Sequence, residues 1–296
     1  MVTDGGLETD LIHHHKVELP DFAAFPLVET PEGRSLLSDY YDGYAAIART
    51  ADAGLMLESA TWRANPDWGR RLGYSPSDLD RANRTAIEHL IGLSEGYRES
   101  VRDIVISGMI GPRGDGYAPG EGMSPDEAAE YHAPQVRSMA DAGADVVSAY
   151  TLTDVAEAIG IVRAADAVDV PVAVSFTVET DGRLPGGPSL AEAVSRVDAL
   201  APPTYFQVNC AHPTHIAAGL AGTSGWQERL LGMRYNASTR SHAELDEATE
   251  LDEGDPVLLR TSHEQLAGSL PALRILGGCC GTDARHVAAL WGQPSP

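Results

Sequence analysis

The feature that most constrains this chain is a rhythm. Eight short runs rich in β-branched and other apolar residues are each followed by a stretch with helical spacing. The runs are Val2–Asp4, Gly54–Ser59, Ile104–Met109, Asp145–Tyr150, Val172–Thr177, Tyr205–Asn209, Leu230–Tyr235 and Leu273–Gly277. Helical stretches between them include Leu36–Ala53, Leu79–Arg102, Ser124–Ala142, Asp154–Val168 and Ser189–Leu200, with Asp283–Trp291 covering the last run. Ser124-Pro125-Asp126-Glu127 sets an N-cap before a proline and two acids, while Gly54, Gly143 and Gly222 read as helix stops. Eight βα units in 296 residues, 43% of them hydrophobic, match an α/β fold of the (β/α)8 TIM barrel type. A single domain over 1–296 is expected, since no linker, repeat or low-complexity tract divides the chain.

An open doubly wound sheet would give a similar rhythm. The barrel is favoured by where polar and glycine-rich residues fall. Asp4-Gly5-Gly6, Glu58, Gly111–Gly122, Tyr150, Asn209-Cys210 and Cys279-Cys280 all follow strand C-terminal ends. In a barrel those ends share one mouth, where active sites are built. Two long loops, Trp62–Leu79 and Asn236–Pro256, are expected at that mouth, the second an acidic flap or short exposed helix.

The chain has three cysteines: Cys210, and the adjacent pair Cys279 and Cys280 within Gly277-Gly278-Cys279-Cys280-Gly281. Buried cysteine is common in ordinary cores. A vicinal pair among glycines, with a third cysteine at the matching end of another strand, favours a metal site instead. Three soft thiolates suit Zn2+, with a fourth position left open as in catalytic centres. His212 or His215 as a fourth ligand would close the site and make it structural. Pro213 turns the chain away between them, which favours an open position. His13-His14-His15 reads as loop.

A formal charge of −22, from 43 acidic and 21 basic residues with Lys16 the single lysine, argues against nucleic acid or an anionic membrane as partner. No apolar run is long enough to span a bilayer. Met1-Val2-Thr3-Asp4-Gly5 lacks the layout of a secretion signal, so a cytoplasmic protein is expected, where a reducing milieu preserves free thiols. Phosphate-loop, dinucleotide-binding and nucleophile-elbow patterns are absent from the sequence.

An open three-thiolate zinc activates water poorly, because the site is itself anionic. It suits binding a substrate thiol as thiolate, and so alkyl transfer to sulfur. With these cysteine motifs, and Asp4-Gly5-Gly6-Leu7-Glu8-Thr9 at the start, the whole chain resembles the homocysteine S-methyltransferase family. The resemblance implies a (β/α)8 barrel with zinc on Cys210, Cys279 and Cys280. It implies a thiol acceptor, homocysteine, methylated by in-line displacement from a small methyl-onium donor, giving methionine. The amino-acid end of the acceptor would fall on Asp4, Gly5 and Gly6. No catalytic residue is implied beyond the zinc-bound substrate thiolate.

Two departures from the family pattern concern the acceptor. Tyr150 stands where the family places a glutamate for the acceptor's ammonium, and Arg234-Tyr235-Asn236-Ala237-Ser238 replaces a Pro-Asn stretch. Glu58, Trp62, Tyr150 and Asn209 complete the candidate substrate residues. Trp62, Trp68, Tyr74 and Tyr150 are candidates for an aromatic cage around the onium, each equally explained by packing. Arg63 and Arg113 are candidates for a donor carboxylate. S-methylmethionine, S-adenosylmethionine and betaines all fit as donors, and no cobalamin or folate module is expected. Two alternatives stand beside this reading. One is a divergent relative demethylating another betaine or sulfonium with a different thiol acceptor; the other is a non-catalytic barrel with structural zinc. The sequence leaves the oligomeric state open, a homo-oligomer included.

Overall fold

The computed structural model describes residues 1–117, 120, 122–220 and 225–294. Among the described residues seven strands are present: β1 (Leu55–Glu58), β2 (Ile104–Ile110), β3 (Val146–Leu152), β4 (Val172–Phe176), β5 (Tyr205–Ala211), β6 (Leu230–Tyr235) and β7 (Ile275–Gly278). All pair in parallel, in sequence order, to give one curled sheet. Met1–Asp4 lies between its two edges. Val2 bridges to Leu55 and to Leu276, and Leu276 N and Gly278 N donate to Met1 O and Asp4 O at 3.0 and 2.8 Å. The expected strand Val2–Asp4 is thus reduced to a single bridging residue. Its backbone groups are nonetheless paired on both sides, as a buried segment requires.

The helices are α1 (Leu7–His13), α2 (Pro31–Thr50), α3 (Pro66–Arg71), α4 (Pro76–Tyr97), α5 (Pro125–Ala142) and α6 (Val155–Asp166). They continue with α7 (Leu190–Leu200), α8 (Pro213–Gly219), α9 (His242–Asp246), α10 (Pro256–Ala267) and α11 (Ala284–Leu290). Their starts follow local chemistry. Ser75, Ser124 and Ser189 each form a reciprocal capping box with an acid three residues on, and Pro31, Pro76 and Pro125 open their helices. Gly143 ends α5 in the left-handed conformation, φ 96°. Gly54 caps nothing, because α2 already stops at Thr50 on Ala51. Gly222 lies outside the described residues, as do 118, 119 and 121 of the loop Gly111–Gly122.

The first long loop carries more structure than its composition suggests, and the second takes the short-helix form expected of it. The first holds α3, and its Ser75-Pro76 signal starts α4 three residues before Leu79. The second holds α9, capped by Ser241, before α10 begins at Pro256. His13 ends α1 instead of lying in a loop, and His14 bonds Asp10 and Glu253 at 2.6 and 2.7 Å.

Helices cover the outer face of the sheet, so β1, β3, β4, β5 and β7 are buried on both faces. Inside, the first or second residues of five strands (Met56, Val146, Ala173, Tyr205 and Ile275) form their own apolar cluster. That cluster fills the end where strands begin. The interior then turns polar toward the strand C-termini, through Ser107, Ser148, Gln207, Glu58, Tyr150 and Arg234, all buried. Among the described residues no helix is long and apolar enough to cross a membrane.

Candidate metal centre and active site

Three thiols meet at the C-terminal end of the sheet. The Sγ atoms of Cys210, Cys279 and Cys280 all lie within 4.8 Å of one another, the one cluster of metal-ligating side chains found among the described residues. Cys210 is delivered by a bulge. The register between β5 and β6 shifts between Asn209 and Ala211, and Cys210 takes φ 54°, which non-glycine residues rarely adopt. The extra residue re-aims the side chain, and His242 Nε2 donates to the displaced Cys210 carbonyl at 2.8 Å. A second bulge, between Ala149 and Leu152 of β3, puts Thr151 at φ 63°. Asn209 ties the two together: its Oδ1 accepts from Thr151 N at 2.8 Å, and its Nδ2 faces Cys279 Sγ at 3.7 Å.

Cys279 and Cys280 ride on the end of β7, which packs so closely that only glycine fits before them. A Cβ on Gly278 would lie 2.0 Å from Thr282 Oγ1, and one on Gly277 2.3 Å from Thr3 Oγ1. The Asp4-Gly5-Gly6 turn sits against the same loop. A Cβ on Gly6 would meet the Cys279 carbonyl oxygen at 2.5 Å.

The donor chemistry fits a thiophilic divalent cation. Without one, the three sulfurs divide their charge unevenly. Hydrogen bonds from Cys210 and then Cys280 hold Cys279 well below the usual thiol range, while Cys280 is pushed well up by its hydrogen bonds to Cys210 and Cys279. Three thiolates this close, one buried and two partly buried, need a cation to ionise together. His212 and His215 are not part of the cluster. His212 caps α8 and bonds Thr214, and His215 Nε2 donates to Thr239 O at 3.0 Å.

An inner pocket opens beside Cys279 and Cys280. Its lining brings together every expected substrate residue: Asp4, Gly5, Gly6, Glu58, Trp62, Tyr150 and Asn209. It also holds residues outside the expected substrate set: Phe22, Met109, Tyr117 and Thr151, with Glu8 and Arg234 from the two motif stretches. Tyr117 places its hydroxyl 2.9 Å from Cys210 Sγ and 3.6 Å from Cys280 Sγ, with its ring 4.4 Å from that of His242. No local pattern marks Tyr117, which sits in a glycine-rich loop. Arg234 did carry a signal, as the one charge in the apolar run Leu230–Tyr235.

Of the aromatic cage candidates, Trp62 and Tyr150 line the pocket. Tyr74 does not: it packs edge-on against Phe25 at 4.9 Å and bonds Glu29. Trp68 lines neither this pocket nor its neighbour and lies under Arg63 at 4.0 Å and Arg71 at 4.7 Å; Trp62 and Tyr150 each also have a guanidinium 5.0 Å from the ring, that of Arg63 and that of Arg234. Arg113 is taken by Asp67 at 2.8 Å. An outer pocket adjoins the inner one across Phe22, Trp62, Tyr117 and Cys280. Arg63 lines it, but the carboxylates Asp115, Asp246, Glu250 and Asp252 outnumber that cation.

The inner pocket's floor is a buried charge network. Arg234 bonds the Asp4 carboxylate, which also accepts from Tyr40 Oη at 3.2 Å. Tyr150 Oη donates to Glu58 Oε1 at 2.7 Å, and Ser107 Oγ to Glu58 Oε2 at 3.2 Å. Burial raises Asp4 to about 6, and Glu8 and Glu58 to about 7, against the lowering pull of Arg234. An acid whose pKa is raised by folding holds its proton better in the folded state. The stabilisation is therefore complete below the unfolded value, near 4.5, and is lost as pH climbs toward 7. Glu58→Gln, which cannot ionise, should gain stability relative to the parent by about 2–3 kcal/mol between pH 4.5 and 8. Thermal melts of both proteins across that range check this. A difference that does not change with pH would show that Glu58 ionises freely.

A sequence model of one family, described as homocysteine S-methyltransferase, matches residues 1–292. The homocysteine S-methyltransferase of Escherichia coli is 27% identical over 98% of this chain and 94% of its own length. The homocysteine S-methyltransferase YbgG of Bacillus subtilis is 24% identical over 99% and 94%. The crystal structure of the homocysteine methyltransferase MmuM from E. coli in its metallated form superposes with a TM-score of 0.77. It is 22% identical, covering 99% of this chain and 95% of that one. The two share their fold.

Proposed function

Because the chain belongs to the homocysteine S-methyltransferase family, we propose that it moves a methyl group from a small onium donor to the thiol of homocysteine, giving methionine. The observation that carries this is the meeting of Cys210, Cys279 and Cys280 beside a pocket floored by Asp4, Glu58 and Arg234. We read the sheet as a closed (β/α)8 barrel, one domain over 1–296, with Met1–Asp4 as the first strand. The double pairing of Val2 supports that reading.

Cys210, Cys279 and Cys280 would hold zinc, which supplies a Lewis acid that keeps the acceptor sulfur ionised at neutral pH. The pocket does the rest. Asp4, Gly5, Gly6 and Glu58 anchor the acceptor's amino-acid end and fix where its sulfur lies. Asn209 and Asn236 steady Cys279 and Cys210, with amide nitrogens at 3.7 and 3.6 Å from Sγ. Trp62 stands between the two pockets and offers a ring face to the methyl-onium group. The sulfur lone pair forms the new C–S bond as the methyl–onium bond breaks. That bond's electron pair leaves with the donor heteroatom, now neutral, and the thiol proton has gone to solvent. Alignment of three atoms in a dry pocket is the main contribution of the protein.

The outer pocket's carboxylates favour a donor of net positive charge. A sulfonium amino acid such as S-methylmethionine, or S-adenosylmethionine, meets that condition, and a zwitterionic betaine meets it less well. A reducing, cytoplasmic setting keeps the three thiols free.

The test is zinc-loaded protein with homocysteine and a donor panel of S-methylmethionine, S-adenosylmethionine and glycine betaine, with methionine followed by mass spectrometry. Methionine is expected from a sulfonium donor, with kcat/KM at least about 10-fold above that for betaine. A betaine preference would overturn the donor reading. No methionine from any donor, with one zinc bound per chain, would overturn the acceptor.

A further inference from the structure

The pocket floor contains one side chain whose bonding is incomplete. Arg234, on β6, is 4% exposed and held on three sides. Its Nε donates to Gly278 O at 2.9 Å, and its Nη2 to the Asp4 carboxylate and to Gly5 O at 2.9 Å. The guanidinium lies 5.0 Å from the centroid of the Tyr150 ring. Nη1, though buried, has no hydrogen-bond partner among the described residues. Glu58 Oε1 stands 3.8 Å away, attractive electrostatically but beyond hydrogen-bond reach.

A buried guanidinium N–H without an acceptor carries a desolvation penalty, so it marks a position where an acceptor oxygen is favoured. Beside it Glu58 has the opposite need. An ionised carboxylate offers about four lone-pair positions, and Tyr150 and Ser107 occupy two. Asp4 is less available, being committed to Arg234 and Tyr40. Beneath the pocket lining, one unpartnered donor therefore stands beside one acceptor with spare capacity, both on residues that line the pocket. That pair is complementary to the carboxylate and ammonium of an α-amino acid.

We propose that Arg234 is a specificity-determining residue for the thiol acceptor, its Nη1 taking a carboxylate oxygen while Glu58 takes the neighbouring ammonium. The inference rests on the thiol methyltransferase reading and assigns which side chains read the acceptor. It also explains how a pocket with Tyr150 in place of an acid handles a zwitterion. Tyr150 orients Glu58 and stacks on Arg234, so both charges reach the acceptor from other strands.

Three thiols separate the contacts: homocysteine, 3-mercaptopropylamine (no carboxylate) and 4-mercaptobutanoate (no ammonium). For the zinc-loaded parent, loss of the carboxylate should lower kcat/KM by about 10- to 100-fold, chiefly through KM. Arg234→Lys keeps a charge opposite Asp4 but has no second nitrogen for the acceptor. In it the carboxylate penalty should fall toward unity, while the penalty for a missing ammonium is unchanged. The double variant Asp4→Asn with Arg234→Met removes both charges together, for use where a lone charge would prevent folding; because Asp4 also anchors the acceptor, only its carboxylate penalty is read, which should again fall toward unity. A uniform loss across all three thiols would show Arg234 to be structural and overturn the proposal. So would a parent that makes methionine yet uses 3-mercaptopropylamine equally well, with the methyltransferase reading intact. No thioether from any thiol would remove that reading, and this inference with it.

Discussion

Cys280→Ala is expected to lose the metal and to lower methyl transfer by about a thousandfold or more, equivalent to roughly 4 kcal/mol in the barrier. The size follows from the donor set. Only three ligating side chains converge among the described residues, and neither His212 nor His215 is placed to substitute. Two thiolates hold a cation far less tightly than three, and an acceptor thiol that meets no Lewis acid stays protonated at neutral pH. The fold should persist. Cys280 is only partly buried, in the turn after β7, and alanine leaves the glycine packing at Gly277 and Gly278 untouched. Metal content by mass spectrometry, methionine formation and circular dichroism together test it. A variant that keeps full activity without metal would sink the mechanism.

Asp4→Ala is expected to have the largest effect on stability, about 3–5 kcal/mol. Asp4 and Arg234 are 3% and 4% exposed and bond directly. Removing one partner strands a guanidinium whose remaining acidic neighbour, Glu58, is 3.8 Å away, and it also takes the carboxylate acceptor from the Tyr40 hydroxyl, leaving it Tyr44 as a neighbour. Asp4→Asn, which keeps an oxygen for Arg234 and turns an amide N–H2 toward Tyr40 Oη, a group that can accept as well as donate, should cost markedly less. Adding Arg234→Met to Asp4→Ala should restore part of the loss, because the uncompensated charge goes with it. A fall in Tm on the order of 10 °C for the single alanine variant is the expected reading. A loss under about 1 kcal/mol in denaturant titration would show that water reaches the pair.

The two effects divide the site. In the proposed mechanism the cysteines serve the chemistry at little cost to the fold, whereas Asp4 and Arg234 join the N-terminal segment to β6 and β7. Substitutions in the second group will confound activity with folding unless stability is measured alongside. The three-thiol comparison above reads ratios between substrates for that reason.

Much of this was legible along the chain. Apolar runs of strand length alternating with helical periodicity reflect local geometry, and seven of the eight expected strands form. Capping boxes at Ser75, Ser124 and Ser189 depend on four consecutive residues, so they too are local. Errors arose where local signals were weak or tertiary contacts prevailed. Val2–Asp4 has too few residues to form a ladder, yet it pairs on both sides. Short α3 is hidden in a polar segment whose composition resembles loop. Tyr74 and Trp68 were cage candidates by type alone; they lie against Phe25, Glu29, Arg63 and Arg71 and line neither the inner nor the outer pocket.

From the residues alone came the βα rhythm, the three cysteines at strand ends and the Asp-Gly-Gly turn, because periodicity and motif chemistry act over a few neighbouring positions. Tertiary structure alone decided the rest. The bulges at Thr151 and Cys210 arise from register between paired strands, and they aim Cys210 at Cys279 and Cys280. The Asp4–Arg234 pair joins residues 230 positions apart and needs the sheet to curl until its edges meet at Met1–Asp4. Which charges stay buried, and which guanidinium nitrogen is left without a hydrogen-bond partner among the described residues, are consequences of that curling. No short-range pattern encodes it.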